Sequence, residues 1–243
     1  MEKLREQTGK TGVRLYDVGQ DGNGIVHVVA PELGLTLPGL TMVCGDSHTS
    51  PTGASGPLAS AKGASEVQPV LPPQTLPQRR PRTMRAHFEG PLPPGVGAKD
   101  MILALIGKIG TAGGTGYALE YTGEAVRGLD MEGRMTLCNL SIECGAKVGM
   151  VAPDETTFSW LEGRRHAPKG ETWRQAVAFW RTLATDPGAR YDAEVTIACA
   201  QLAPHVTWGT SPEQVLRIDA RVPVPADAPD DMHRKSWTEA LDY

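Results

Sequence analysis

The chain is poor in the features that would direct it to a membrane, a nucleic acid or an oxidising compartment. No apolar run approaches the length of a bilayer span, and the opening MEKLREQTGKTG is charged and helix-like where a signal peptide would be apolar. Like charges never accumulate beyond a few residues: the net charge is −4, and the RRPR group ending at Arg82 is too short to hold a polyanion. The four cysteines, Cys44, Cys138, Cys144 and Cys199, show no CxxC spacing, which argues against a zinc site and against a disulfide framework. These absences lead us to expect a reduced, soluble, cytoplasmic protein with no nucleic-acid or membrane partner. Its 243 residues suffice for one large or two smaller cored domains.

What the chain does contain is GDSHTSPTG, directly after the apolar run Thr41-Met42-Val43-Cys44. A strand that ends in Gly and then presents Asp46, Ser47 and His48 puts a carboxylate, a hydroxyl and an imidazole at a sheet's carboxyl edge, where open α/β sheets build their sites. Each of these residues also has a plainer reading, since Asp46, Ser47 or Thr49 could simply cap a helix. His27 lies in a second apolar run, GIVHVV, and CNLSIECGA carries Asn139 and Glu143. Asn139 could bond the local backbone and Glu143 could be a solvated helix residue.

Periodicity and punctuation predict strands at Val13–Val18, Gly24–Val29, Thr41–Cys44, Met84–Glu89, Ala118–Tyr121 and Ala193–Ala198. Helices are predicted at Glu2–Lys10, Gly53–Val70 (or from Leu58), Lys99–Ile109, Met131–Ala146 and Thr172–Ala184, and the C-terminal MHRKSWTEALDY reads as a short helix or a frayed tail. Within Gly53–Val70 stand Pro57 and Pro69, each of which costs a helix about 3 kcal/mol, so this segment is the anomaly of the chain. Gly113, Gly114 and Gly116 follow a helix, not a strand, and so read as a turn instead of a phosphate loop. Asn139 and Glu143, four residues apart, are expected on one helical face. His87, His166, His205 and His233 are expected at the surface.

Taken in order, RLYDVGQDGNGIVHVVAPELGLTLPG, VCGDSHTS, QTLPQRRPRTM, GKIGTAGGTGYALEYTGEA, MEGRMTLCNLSIE, APDETTF and VTWGTSPEQV resemble the aconitase superfamily, and within it the hydro-lyases of leucine biosynthesis. Homoaconitase-type hydro-lyases are the nearest rival reading. The resemblance implies an α/β fold of aconitase-like three-layer α/β/α domains, truncated at both ends. It divides the chain into the remainder of a first domain (1–82), a second α/β domain (83–204) and the start of a third (205–243). It implies a 4Fe-4S cluster in the intact enzyme, a separate small subunit as partner, and a small-molecule hydroxy-dicarboxylic acid as substrate.

The same resemblance places His27, Asp46 and His48 around the leaving hydroxyl, Ser47 on a substrate carboxylate or a proton path, and Asn139 with Glu143 facing the cluster. The family's cluster cysteines match none of the four here, so the expectation is that this chain alone would not turn over substrate. A non-catalytic interaction protein, or a relic that folds poorly, are the readings from other classes.

Overall fold

The computed structural model describes residues 2–46, 48–61 and 75–242, with the backbone alone at 51–52 and 59–61. Helix α1 (Glu2–Thr11) forms as its sequence predicts and buries none of its residues. Residues 13–18, expected as a strand, are irregular and run into turns. The run around His27 is a second correction: it folds as helix α2 (Val26–Glu32) instead of a strand. Short apolar runs do not distinguish strand from helix by periodicity. Among the described residues the only strand near it in sequence, β1 (Thr41–Cys44), pairs with β2 (Leu58–Ala61) and no other.

β1 and β2 run parallel, Thr41 opposite Leu58 and Cys44 opposite Ala61. Between them a 3₁₀ helix spans Ser50–Ser55, with Pro at its start and Gly56 at φ +95° at its end. The helix expected from Gly53, or from Leu58, is therefore overturned as far as Ala61. A left-handed Gly56 followed by Pro57, which cannot donate a helical hydrogen bond, stops the turn and redirects the chain into β2. The rest of that expectation, 62–74, lies outside the described residues.

The main sheet takes shape from β3 (Arg82–Glu89) onward. Helix α3 (Ala98–Ile109), strand β4 (Tyr117–Thr122), the single turn α4 (Glu124–Arg127), helix α5 (Met131–Asn139), strand β5 (Val148–Val151), helices α6 (Glu155–Leu161) and α7 (Gly170–Trp180) and strand β6 (Ala193–Ala198) follow. The four strands lie in the order β5-β4-β3-β6, all parallel, as strands linked by helical crossovers must. The α/β class is thus as expected.

The sheet's two faces differ because side chains alternate along each strand. Met84, Ala86 and Phe88 of β3, Leu119 and Tyr121 of β4 and Ile197 of β6 point to one side. There they pack with Met101, Ile102, Leu105 and Ile106 of α3 and Leu137 of α5 into the main core. In register on the other side, Arg85 stands between Glu120 and Glu194, and the Arg85 guanidinium pairs with Glu194. A smaller core joins α6 to α7: Phe158 and Trp180 stack at 6.0 Å between ring centres, and Trp173 meets Trp180 edge-on at 5.4 Å.

Beyond β6, strands β7 (His205–Thr207) and β8 (Val215–Arg217) form an antiparallel hairpin, and helix α8 (Asp231–Leu241) ends the chain. Two carboxylates fasten the hairpin region to α3 and the turn that follows it. Asp100 accepts from its own N-cap Gly97 N–H at 2.8 Å and from the His205 N–H at 2.7 Å. Glu213 accepts from both the N–H and the hydroxyl of Thr111 at 3.0 Å. Strand β5, helices α4 and α6 and this hairpin are elements that the sequence did not announce, being short and without strong periodicity.

The helix predicted for Met131–Ala146 ends early. α5 stops at Asn139 and the chain tightens into a 3₁₀ turn, Leu140–Cys144, closed by Gly145 at φ +81°. Arg134 anchors α5 from within. It is completely buried and donates to Asp154 at 2.6 and 2.8 Å, to the Arg127 carbonyl at 3.1 Å and to the Leu129 carbonyl at 3.3 Å. Asp154 in turn caps α6 through the Thr156 and Thr157 N–H groups.

Candidate active site

The turn after β1 is organised by its own carboxylate. Asp46 Oδ1 accepts the His48 N–H at 2.8 Å, and the Asp46 carbonyl accepts the Thr49 hydroxyl. This Asx-type turn sends His48 forward along the chain while the Asp46 carboxylate faces back toward α2. There His27 Nε2 lies 3.1 Å from Asp46 Oδ1. The carboxylate sits off the line of the ring N–H, so among the described residues neither ring nitrogen of His27 makes an aligned hydrogen bond, although the side chain is only 11% exposed. The contact is a loose ion-pair geometry. The His48 N–H, and after it the nearby His27 imidazole, hold the Asp46 carboxyl below the usual carboxylate range.

His48 faces a different partner. Its Nε2 lies 3.3 Å from Glu143 Oε1, in the 3₁₀ turn after α5. The structure therefore joins two imidazole–carboxylate pairs through the turn at Asp46–His48, and draws residues from three distant stretches of chain to one place. Ser47 lies outside the described residues.

Asn139 is the last residue of α5, and its Oδ1 is buried with no hydrogen-bond partner among the described residues. With His27 it lines a cleft of about 390 Å³ whose walls include Ile25, Met135 and Trp160 as well as Glu32 and Glu132. Glu143 instead lines a neighbouring cavity of about 620 Å³, with Leu140, His205, Thr207 and Ser211. The expectation that Asn139 and Glu143 share one helical face is corrected here. Four residues in an α-helix return to within about 40° of the starting direction, whereas four in a 3₁₀ turn end about 120° away.

Close backbone packing sets this arrangement. A Cβ on Gly53 would stand 2.0 Å from the Gly149 carbonyl, and one on Gly149 would stand 2.0 Å from Ser141 Oγ. The two glycines let the segment after His48 lie directly on β5, and let β5 lie directly against the turn carrying Glu143. Ser141 is held in that position by Tyr121, whose hydroxyl is 2.7 Å away.

Three of the histidines expected at the surface are half-buried, and two of them have ring contacts. His87 Nδ1 is 3.0 Å from the Thr122 hydroxyl, His166 Nε2 is 3.1 Å from the Tyr16 hydroxyl, and His205 lines the larger cavity with its Nδ1 buried and unpartnered. Their strand and loop settings came from pairings between distant segments, so no local pattern marked them. His233 is exposed beside Asp230, as expected.

Cys138 and Cys144 flank the Asn139–Glu143 segment but are fully buried. Burial pushes the Cys138 thiol well up and that of Cys144 up to about 11. Among the described residues no three His, Cys, Asp or Glu side chains converge to hold a metal. Neutral, separately buried thiols do not fit an iron–sulfur cluster, whose ligands are thiolates. The described residues thus offer imidazole–carboxylate pairs for moving protons, not a ligand set.

His27 with Asp46 and His48 with Glu143 are thus two imidazole–carboxylate pairs, carried by helix α2, the stretch after β1 and the 3₁₀ turn after α5, and such groups can take up and release protons. The family model described as "Aconitase family (aconitate hydratase)" matches residues 1–243, and the chain belongs to that family. It is 57% identical over 240 residues to the 3-isopropylmalate dehydratase large subunit 1 of Bradyrhizobium diazoefficiens (strain JCM 10833 / BCRC 13528 / IAM 13628 / NBRC 14792 / USDA 110). That similarity takes in 99% of this chain and 50% of the relative, so the chain spans half the length of the curated protein it matches.

Proposed function

We propose that this chain is part of a 3-isopropylmalate dehydratase large subunit and carries its proton-handling groups. The reaction interconverts 2- and 3-isopropylmalate by dehydration and rehydration, as a step in leucine biosynthesis in the cytoplasm. The observation that carries the reading is the paired geometry of His27 with Asp46 and His48 with Glu143, in a chain 57% identical to a protein of that name.

Moving a hydroxyl to the neighbouring carbon requires a group to protonate the leaving hydroxyl and a group to take the proton from the adjacent carbon. An imidazole can do either, because one ring nitrogen can give a proton and the other can take one. In this reading His48, backed by Glu143, and His27, backed by Asp46, share those roles. Ser47 contributes a hydroxyl for a substrate carboxylate or for a proton path. Asn139, with its unpartnered Oδ1, offers an acceptor toward the reacting centre.

Enzymes of the family bind a 4Fe-4S cluster, which supplies a Lewis acid for the substrate hydroxyl. The described residues do not fit as its ligands. The relative's designation as a large subunit supports a small subunit as partner of this chain too. We divide the chain as the family likeness suggests, at about residues 82 and 204.

The test is binding, followed residue by residue. Titration of isotope-labelled chain with 3-isopropylmalate should shift the NMR signals of His27, Asp46, His48, Asn139 and Glu143, with malate weaker. Saturable shifts located elsewhere would remove the site assignment. Turnover of 3-isopropylmalate by the isolated chain would refute the view that it supplies proton handling only.

A further inference from the structure

Helix α2 carries His27, yet little of the helix itself is anchored. It is 7 residues long, contains Pro31, has no side-chain cap at its N-terminus, and buries only Ala30 and Pro31. Ile25 and Val28 are 63% and 48% exposed. A helix this short does not hold its own place in water, so the orientation of His27 must be imposed from outside.

The loop after α6, GRRHAP, makes contacts suited to that task. Arg164 donates from Nη1 to the Glu32 carbonyl, the last of α2, at 3.0 Å, and from Nε to the Trp160 carbonyl at 2.7 Å. Its guanidinium carbon lies 3.5 Å from the centre of the Trp160 ring. The His166 N–H donates to the Leu33 carbonyl at 2.8 Å. Gly34 passes so close to Ala167 that a Cβ there would be 2.9 Å from its backbone nitrogen. The His166 ring reaches the Tyr16 hydroxyl at 3.1 Å. The loop itself is fixed, because it follows the buried Phe158 and Leu161 of the smaller core.

We propose that Arg164 is a positioning residue for His27. It transmits the rigid position of α6 to the exposed α2 and so keeps the imidazole opposite Asp46. Trp160 belongs to both parts of the device, serving as the platform for the guanidinium and as a wall of the cleft that His27 lines. A lysine could stack there or reach the Glu32 carbonyl, but lacks the planar fork that does both. The inference rests on His27 acting in the proposed site, but its test reads geometry and needs no turnover.

The experiment compares the full chain with Arg164→Ala, Arg164→Lys and the neighbouring Arg165→Ala, whose native side chain is half exposed and near Asp21. Carbon-13 NMR follows the Asp46 carboxyl titration, and cross-peaks report the His27–Asp46 and His48–Glu143 contacts. In both Arg164 variants we expect loss of the His27–Asp46 cross-peaks and an upward shift of the Asp46 midpoint. The His48–Glu143 cross-peaks and the Arg165→Ala titration should stay as in the parent. A folded Arg164 variant with an unchanged Asp46 titration and intact His27 cross-peaks would overturn the proposal. Equal loss of both pairs would overturn it too, by showing general loosening, as would failure of both Arg164 variants to fold while Arg165→Ala folds. If 3-isopropylmalate fails to bind while the Arg164 effects appear, the functional reading falls and the positioning role stands.

Discussion

His48 and Glu143, 95 residues apart in the chain, meet with Nε2 and Oε1 3.3 Å apart. Both side chains remain more than a third exposed, at 39% and 35%. A pair so open to water contributes little to folding, and exposed pairs are worth about 0.2–1 kcal/mol. Glu143→Gln and His48→Ala should therefore leave the urea midpoint almost unchanged. In an enzyme assembled with the remaining subunit parts, the same changes should reduce turnover by about 10²-fold or more, the usual worth of a positioned acid–base group. A large loss of stability would mark the pair as structural instead.

Arg134 and Asp154 present the opposite case. The guanidinium is wholly buried and most of its donors are used, so removing its partner leaves an uncompensated buried charge. Asp154→Ala should cost about 3 kcal/mol, the low end of the range for breaking a buried pair, because the carboxylate is itself one-third exposed. Chemical denaturation monitored by tryptophan fluorescence measures it directly. A loss under about 1 kcal/mol would show that water reaches Arg134 readily.

The same carboxyl sets an acid limit. Burial by itself would raise the Asp154 carboxyl, but the Arg134 hydrogen bonds and charge, with the Thr157 and Thr156 N–H groups, outweigh it and hold it below the usual range. A group depressed in the folded state contributes fully above its unfolded value, near pH 4, and loses its contribution as pH falls through the folded value. Stability should be flat from neutrality to about pH 5 and fall below it, more steeply in the parent chain than in Asp154→Ala. Parallel slopes for the two proteins would assign the acid transition to other carboxylates.

The close approach of Gly53, Gly149 and Ser141 is testable by adding one carbon. Gly149→Ala would place a Cβ 2.0 Å from Ser141 Oγ, where no rotation of a long side chain can relieve it. Overpacking of this kind costs about 1–3 kcal/mol, or a fall in Tm of about 2–4 °C per kcal/mol for a chain of this size. Adding Ser141→Ala should restore part of the loss, and a double variant no better than the single one would locate the strain elsewhere.

Thiol chemistry should separate the cysteines by burial. Cys138, Cys144 and Cys199 are completely buried with raised thiols, whereas Cys44 is partly exposed at the end of β1. A disulfide reagent near neutral pH should label one thiol per folded chain quickly and all four after denaturation. Rapid labelling of two or more would contradict the packing around α5.

Much of the framework was legible from local pattern. Strands β3, β4 and β6 and helices α3 and α7 fall where alternation and apolar periodicity put them, because each is long enough for its apolar residues to show a period. Strand β5 and the hairpin β7–β8 were not legible, since four- and three-residue strands carry almost no period. The run holding His27 misled because a short apolar run carries no period that separates strand from helix, and among the described residues it pairs with no strand.

The sequence by itself determined the residue types of the candidate site and their order, together with the α/β class and the family to which the chain belongs. Motif and composition are properties of the chain, and they survive without coordinates. Only the tertiary structure decided which imidazole faces which carboxylate, that Asn139 and Glu143 open onto different cavities, and that Arg164 holds the helix of His27. Those are distances between segments far apart in the chain, set by close packing at Gly53 and Gly149 and by a buried guanidinium at Arg134, and no local spacing encodes them.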